Sequence, residues 1–310
     1  MSTGMSRILV IKLGALGDIV QATGPMAAIR AHHADAHITL LTSKAYADFL
    51  EASVWFDEIW IDERPNWKNW RAWFRLRNRL RGGQFDRVYD LQTSDRSSGY
   101  FHLMLPGGRP EWSGVARFAS HPHANRKRDD MHTVDRHAEQ LNMAGIADVP
   151  PPNLDWATAD ISRFGLVAPY ALLVPGGSAH RPEKRWPVGR FTELARRLVA
   201  KGVTPVLIGA GPDAHATGTV ASFCDGAVDL TADTSFAEIA ALARDAVGAV
   251  GNDTGPMHLI ATAGCPSVSL FSFASDPAIC AQKGPDVTII CKDMLDEVSV
   301  DEVEAALKLD

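Results

Sequence analysis

The sequence predicts an α/β protein of two lobes with mostly parallel sheets, and three observations carry that expectation. The chain has 310 residues, room for two domains of about 150 residues each. Short apolar, β-branched runs alternate with helix-length stretches, once before and once after a proline-rich break. Glycine-rich turns directly follow several of those runs, as they do in the βαβ units of Rossmann-like lobes.

In the first lobe, Arg7–Lys12 is a short β-branched run suited to a strand covered on both faces. A glycine turn follows it, then a helical pattern from about Asp18 to His32. His37–Leu41 reads as a strand, Ala45–Ala52 as a helix and Glu58–Ile61 as a strand. A basic helix over about 67–81 precedes a strand at Asp86–Leu91. The segment from about 107 to 155 lacks clear periodicity, and Pro150-Pro151-Pro152 marks a linker. The alternation then restarts. Strands are expected at Tyr170–Val174, Val203–Ile208, Ala246–Val250 and Pro266–Leu270, with helices over 187–201, about 235–244 and from about Gly255. The boundary is set at 155/156, and the last helix is a candidate to pack back on the first lobe. Two such lobes predict a central cleft, with ligands held outside the carboxyl ends of the strands.

Composition narrows the function. The hydrophobic fraction of 46% and charged fraction of 22% are those of a globular protein, not a disordered one. No apolar stretch approaches a membrane span of about 20 residues, and the N-terminus lacks the pattern of a secretory signal. A cytoplasmic location is expected. Residues 1–150 carry 19 Lys and Arg against 17 Asp and Glu, a net +2. Residues 151–310 carry 12 against 20, a net −8. That balance disfavours general nucleic-acid binding and leaves room for a local basic patch in the first half. The cysteines Cys224, Cys265, Cys280 and Cys291 form no metal-ligand spacing and read as reduced and structural.

Three glycine-rich turns carry the chemistry. In Gly14-Ala-Leu-Gly17-Asp18, glycines three apart open a helix and let the backbone turn tightly against another molecule. The full dinucleotide fingerprint is absent, and the second strand ends at Leu40-Leu41-Thr42 without the ribose-binding acid, so NAD binding is not expected. Asp18 is either a helix cap or a carboxylate placed to take a proton from a hydroxyl. In the second lobe Pro175-Gly176-Gly177-Ser178 offers backbone N–H groups and a hydroxyl, with Lys184 following in sequence. That pattern suits a diphosphate, although no Walker loop is present. Gly251-Asn-Asp253-Thr254-Gly255-Pro-Met-His258 again links a strand to a helix. Its helix start is open to an anion, and Asp253 can accept hydroxyl hydrogens. His258 alone reads as a buried structural histidine; beside Asp253, Thr254 and Gly255 it reads as part of a ligand site. Together these turns fit a nucleotide diphosphate sugar.

At this point the chain resembles glycosyltransferase family 9, which holds the ADP-heptose:lipopolysaccharide heptosyltransferases. The resemblance is carried by Ile8–Val20, Phe85–Gln92, Pro175–Ser178 with Lys184–Pro187, and Gly251–His258, in the expected order over nearly the whole chain. It implies a GT-B fold and sugar transfer with inversion, without a metal or other cofactor, from a nucleotide sugar, ADP-linked in the heptosyltransferases. The acceptor side, including Gly14 and Gly17, would lie on the first lobe and the donor on the second. Asp18 would be the base. Ser178, Lys184 and the Thr254–Gly255 backbone would hold the diphosphate, Asp253 the sugar hydroxyls, and His258 the phosphate side. Two departures stand out. Where the family often has a ribose-gripping glutamate this chain has Gly209-Ala-Gly-Pro-Asp213, leaving Asp213 as the candidate ribose contact. Near Thr231–Ser235, no adenine-specific residue can be assigned. Rival readings are another donor or acceptor, a nucleotide-sugar epimerase, or a non-catalytic nucleotide-sugar-binding protein.

Residues 64–81 hold seven basic groups and no acidic one. Helical spacing puts Trp67, Trp70, Trp73, Phe74 and Leu80 on one face and Lys68, Arg71, Arg75 and Arg79 on another. The two readings are an aromatic stripe packed on the sheet, or peripheral contact with an anionic inner-membrane surface and its phosphorylated glycolipid.

Overall fold

The computed structural model describes residues 5–66, 68–105, 109–177 and 180–309. The chain divides into two compact units, Met1–Pro152 and Asn153–Asp310, three residues before the expected boundary.

The first unit runs β1 (Arg7–Ile11), α1 (Leu16–Gln21), α2 (Thr23–His32), β2 (His37–Thr42), α3 (Lys44–Glu51), β3 (Glu58–Ile61), α4 (Trp70–Gly82), β4 (Arg87–Asp90), α5 (Asp95–Leu103), β5 (Glu111–Gly114), β6 (His121–Pro122) and α6 (Thr133–Met143). All its strand pairs are parallel, in the order β3-β2-β1-β4-β5-β6. Residues Ile8–Ile11 are all buried because helices cover both faces of the central strand. Leu9, Ile11, Val88, Phe101 and Trp112 form the core on one side.

The second unit runs β7 (Tyr170–Val174), α7 (Val188–Ala200), β8 (Thr204–Leu207), α8 (Ala214–Ser222), β9 (Val228–Asp229), α9 (Phe236–Asp245), β10 (Gly248–Asn252), α10 (Gly255–Thr262), β11 (Ser267–Phe271), α11 (Pro277–Cys280), β12 (Val287–Cys291) and α12 (Val300–Leu307). Its parallel order, β12-β11-β10-β7-β8-β9, repeats that of the first unit. The fold class is thus α/β with two six-stranded parallel sheets, as expected. In each unit the chain reverses direction across the sheet between two central strands, β1 and β4 or β7 and β10, the position where such folds bind ligands.

Four expectations need correction. The helix expected over 18–32 is two helices that meet at Ala22, where the Thr23 hydroxyl turns back to the Val20 carbonyl at 2.7 Å. The segment expected to be irregular contains β5, β6 and α6; its strands are too short to show alternation. The α4 aromatics do not share one face: Trp73, Leu76 and Leu80 turn to the core, while Trp70 and Phe74 are 69% and 56% exposed. The last helix, α12, buries Val300, Val303 and Leu307 in the second unit's own core, against residues such as Val250 and Val268.

Candidate functional site

In the second unit, loops leaving the carboxyl ends of β7, β8, β10 and β11 are joined by side chains rather than by sheet pairing. Asn252, fully buried at the end of β10, donates to the Pro175 and Gly176 carbonyls at 3.0 and 2.9 Å. Its own carbonyl oxygen accepts from the Trp186 N–H at 2.9 Å. One carboxamide therefore fixes both the glycine turn after β7 and the segment that carries Lys184. Arg185 adds a bond to the Gly177 carbonyl at 2.6 Å.

Asp213 ties in the loop after β8. One carboxylate oxygen accepts from the Gly177 N–H at 3.2 Å, the other from Ala210 at 2.9 Å. A β-carbon on Gly176 would lie 2.3 Å from the Asp213 carboxyl carbon, so only glycine admits this approach. The candidate ribose contact is thus a brace for the phosphate-type turn, and Ser178, next in that turn, lies outside the described residues.

Lys184 and Asp253, expected on diphosphate and sugar respectively, meet as an ion pair at 2.7 Å, with side chains 14% and 9% exposed. Ser275 donates to the same Asp253 oxygen at 2.7 Å, and Gln282 to the other at 3.3 Å. An ammonium has three donors, of which this pair uses one. Thr254 is the N-cap of α10 but gives it no side-chain bond, and its hydroxyl oxygen is buried with no hydrogen-bond partner among the described residues. Gly255 is the first helical residue, so the N–H groups there face outward from the helix start. His258 is buried in the first turn of the same helix.

In the first unit, Gly14 has φ +125°, and a β-carbon there would sit 2.6 Å from the Tyr46 ring. Gly17 is buried at the start of α1. Asp18 is the third residue of that helix, not its cap, and its carboxylate accepts from the Ala15 N–H at 3.1 Å. It is half-buried and lies within electrostatic reach of Lys12, Tyr46 and Arg136. Among the described residues no basic group forms an ion pair with it.

Beneath this turn lies a buried polar cluster. The Lys12 ammonium donates to the Leu91 carbonyl at 3.0 Å, linking the ends of β1 and β4, and the Leu13 N–H donates to the Gln92 side chain at 2.8 Å. Burial lowers the Lys12 pKa, opposed by the charges of Asp18 and Asp90. Burial likewise pushes Asp90 up to about 6, although Thr93 and Gln92 N–H groups favour its charged form. His137 on α6 approaches the Leu91 carbonyl at 3.2 Å, and burial, then the Lys12 and Arg136 charges, hold its pKa well below the usual value. The basic run Asn125-Arg-Lys-Arg128 is held in place by Asn125 on Glu139 and Arg128 on Thr93.

Trp67 lies outside the described residues. Arg71 stacks 5.4 Å from the Trp70 ring, and Arg75 is exposed and reaches Glu63 at 3.4 Å. Sequence reasoning missed Lys12, Asn252, Ser275 and Gln282. Lys12 and Asn252 stood inside the quoted motifs, and their place at strand ends was the available signal; Ser275 and Gln282 carried none. Among the described residues no group of three or more His, Cys, Asp or Glu side chains is placed to hold a metal ion, and no helix is long and apolar enough to cross a membrane.

A model of glycosyltransferase family 9 (heptosyltransferase) matches residues 73–308. Lipopolysaccharide heptosyltransferase 2 of Salmonella typhimurium is 26% identical over 230 residues, 65% of this chain and 64% of that protein. The matched stretch thus spans a little under two thirds of the relative's length. Among solved structures, the glycosyl transferase family 9 protein of Veillonella parvula superposes with a TM-score of 0.84 at 21% identity, covering 99% of this chain and 98% of that one. The E. coli ADP-heptose lps heptosyltransferase II gives 0.79 at 20%, covering 97% and 98%. These likenesses establish the GT-B fold. With the family model matching most of its length, the chain belongs to glycosyltransferase family 9.

Proposed function

We propose that the chain transfers a sugar, heptose from ADP-heptose, to a lipopolysaccharide-core-type acceptor, with inversion and without a metal ion. The names of its relatives support the donor and acceptor classes. The observation that carries the division of labour is the contrast between two carboxylates. Asp18 lies half-buried at a glycine turn with no basic partner at ion-pair distance among the described residues, as a general base requires. Asp253 is neutralised by Lys184, as suits a group that orients hydroxyls.

In the reaction, the acceptor hydroxyl gives its proton to Asp18 as its oxygen attacks the anomeric carbon. The bond from that carbon to the diphosphate breaks, and the leaving group takes the electron pair. The remaining Lys184 donors and the N–H groups at the start of α10 meet the charge that grows on the diphosphate. Arg71 and Arg75, beside the exposed Trp70 and Phe74, would dock the protein peripherally on the anionic cytoplasmic face of the inner membrane, where the glycolipid acceptor sits. Failure of anionic liposomes to retain the protein at low salt would remove that part of the proposal.

Thermal stabilisation with ADP, UDP and GDP side by side tests the donor. Ligand at about a hundred times its Kd adds roughly 2.7 kcal/mol to the native state, so a matching nucleotide raises Tm visibly. Selective response to ADP and ADP-heptose supports the proposal. Preference for UDP or GDP moves the donor, and no response to any nucleotide overturns the site.

A further inference from the structure

The brace around Asp253 contains a side chain whose chemistry is only half used. Gln282 is 3% exposed, and its amide nitrogen donates to Asp253 Oδ1 at 3.3 Å. The reversed orientation would set the amide oxygen against a carboxylate, so charge fixes which end faces Asp253. Among the described residues the Gln282 carbonyl oxygen is left buried without a hydrogen-bond partner. The hydroxyl oxygen of Thr254, the residue next to Asp253 in sequence, is also buried and unpartnered among the described residues. Buried polar atoms of this kind are rare in native proteins, and each calls for a partner. The partner required here must donate hydrogens to a neutral oxygen beside a carboxylate that still has accepting capacity on Oδ1. A sugar ring with neighbouring hydroxyls has that chemistry; a phosphate does not.

We propose that Gln282 contacts the sugar of the nucleotide-sugar donor and sets which sugar is accepted, its carbonyl oxygen and Asp253 Oδ1 taking hydrogens from adjacent ring hydroxyls. This rests on the donor-binding reading of the second unit given above. Gln282→Met keeps length and volume and removes both hydrogen bonds. Calorimetric titration with ADP and with ADP-heptose then separates sugar from nucleotide recognition. ADP-heptose affinity falls about tenfold in the variant, while ADP affinity stays within about twofold. A donor analogue lacking the hydroxyl that Gln282 holds binds variant and wild type alike, which a merely structural role would not produce. Equal losses for ADP and ADP-heptose, or no loss for either, overturn the assignment and leave the donor reading intact. Wild-type protein that binds neither ligand overturns both. Should Gln282→Met fail to fold, Gln282→Asn, too short to reach the ring, is expected to show the same selective loss.

Discussion

In the first unit the reversal point of the sheet is spanned by the ammonium of Lys12, reaching from the end of β1 to the Leu91 carbonyl after β4. In the second unit the equivalent point is spanned by the carboxamide of Asn252, reaching from β10 to the turn after β7. The topology is the same and the chemistry differs. A neutral amide can be buried once its hydrogen bonds are made, and the second unit places its charges one residue further out, as the Lys184–Asp253 pair. The first unit buries a charge against neutral dipoles and leaves Asp18 without a counter-ion among the described residues. On the function proposed above, the difference separates a unit that binds an anion from one that keeps a carboxylate available for proton transfer.

The largest expected effect tests the free carboxylate. Asp18→Asn keeps an oxygen that can accept from Ala15 N–H, so α1 retains its start, but removes the proposed base. Steady-state kinetics should show kcat lower by about 10²–10⁴-fold with donor affinity unchanged. A drop of less than about tenfold would reduce Asp18 to a helix-terminal role and erase the contrast with Asp253. The next effect tests the buried charge cluster. The Asp90 folded-state pKa of about 6 lies above its unfolded value. Its favourable contribution is therefore complete below the unfolded pKa, near pH 4, and is lost as pH rises through about 6. Asp90→Asn removes that loss, by up to ~3 kcal/mol at neutral pH. His137 works the other way, because its folded pKa is depressed. The readout is therefore the difference in Tm between variant and wild type at pH 4.5 and pH 7.5. It should shift toward the variant with rising pH; a pH-independent difference would mean that Asp90 is not held up by burial.

Much of this was legible in the sequence, and the exceptions have physical causes. The central strands announced themselves because strands buried on both faces read as continuous apolar runs, as Ile8–Ile11 and Ala171–Val174 do. Edge strands such as β6 and β9, two residues each, are too short to carry any periodicity. The glycine turns were legible because backbone approach demands glycine, as Gly176 does beneath Asp213. What the turns bind to was not. Asp213 joins Gly177 across 36 residues, and Gln282 reaches Asp253 across 29. Such contacts have no local signature, since any polar residue in those loops would fit the sequence pattern equally well. On α4 the 3.6-residue period located the helix, but charge and aromaticity alone did not say which Trp faces the core.

The comparison is sharpest between the two lysines themselves. Lys184→Met leaves the Asp253 carboxylate, 9% exposed, with only Ser275 and Gln282 as neutral donors among the described residues. The loss of one partner from a largely buried pair should lower stability by about 2–3 kcal/mol, toward the low end because the lysine retains some solvent contact. Lys12→Met removes a desolvated charge instead. The acceptor that it leaves, the Leu91 carbonyl, still has His137 Nε2 at 3.2 Å, so no oxygen there is orphaned. The unbranched methionine fills the same channel, and the expected change is within about 1 kcal/mol. Urea unfolding of both variants in parallel measures the gap. Equal losses would mean that Lys12 depends on an attraction to Asp18 or Asp90 as strong as an ion pair, and the two units would then handle charge alike.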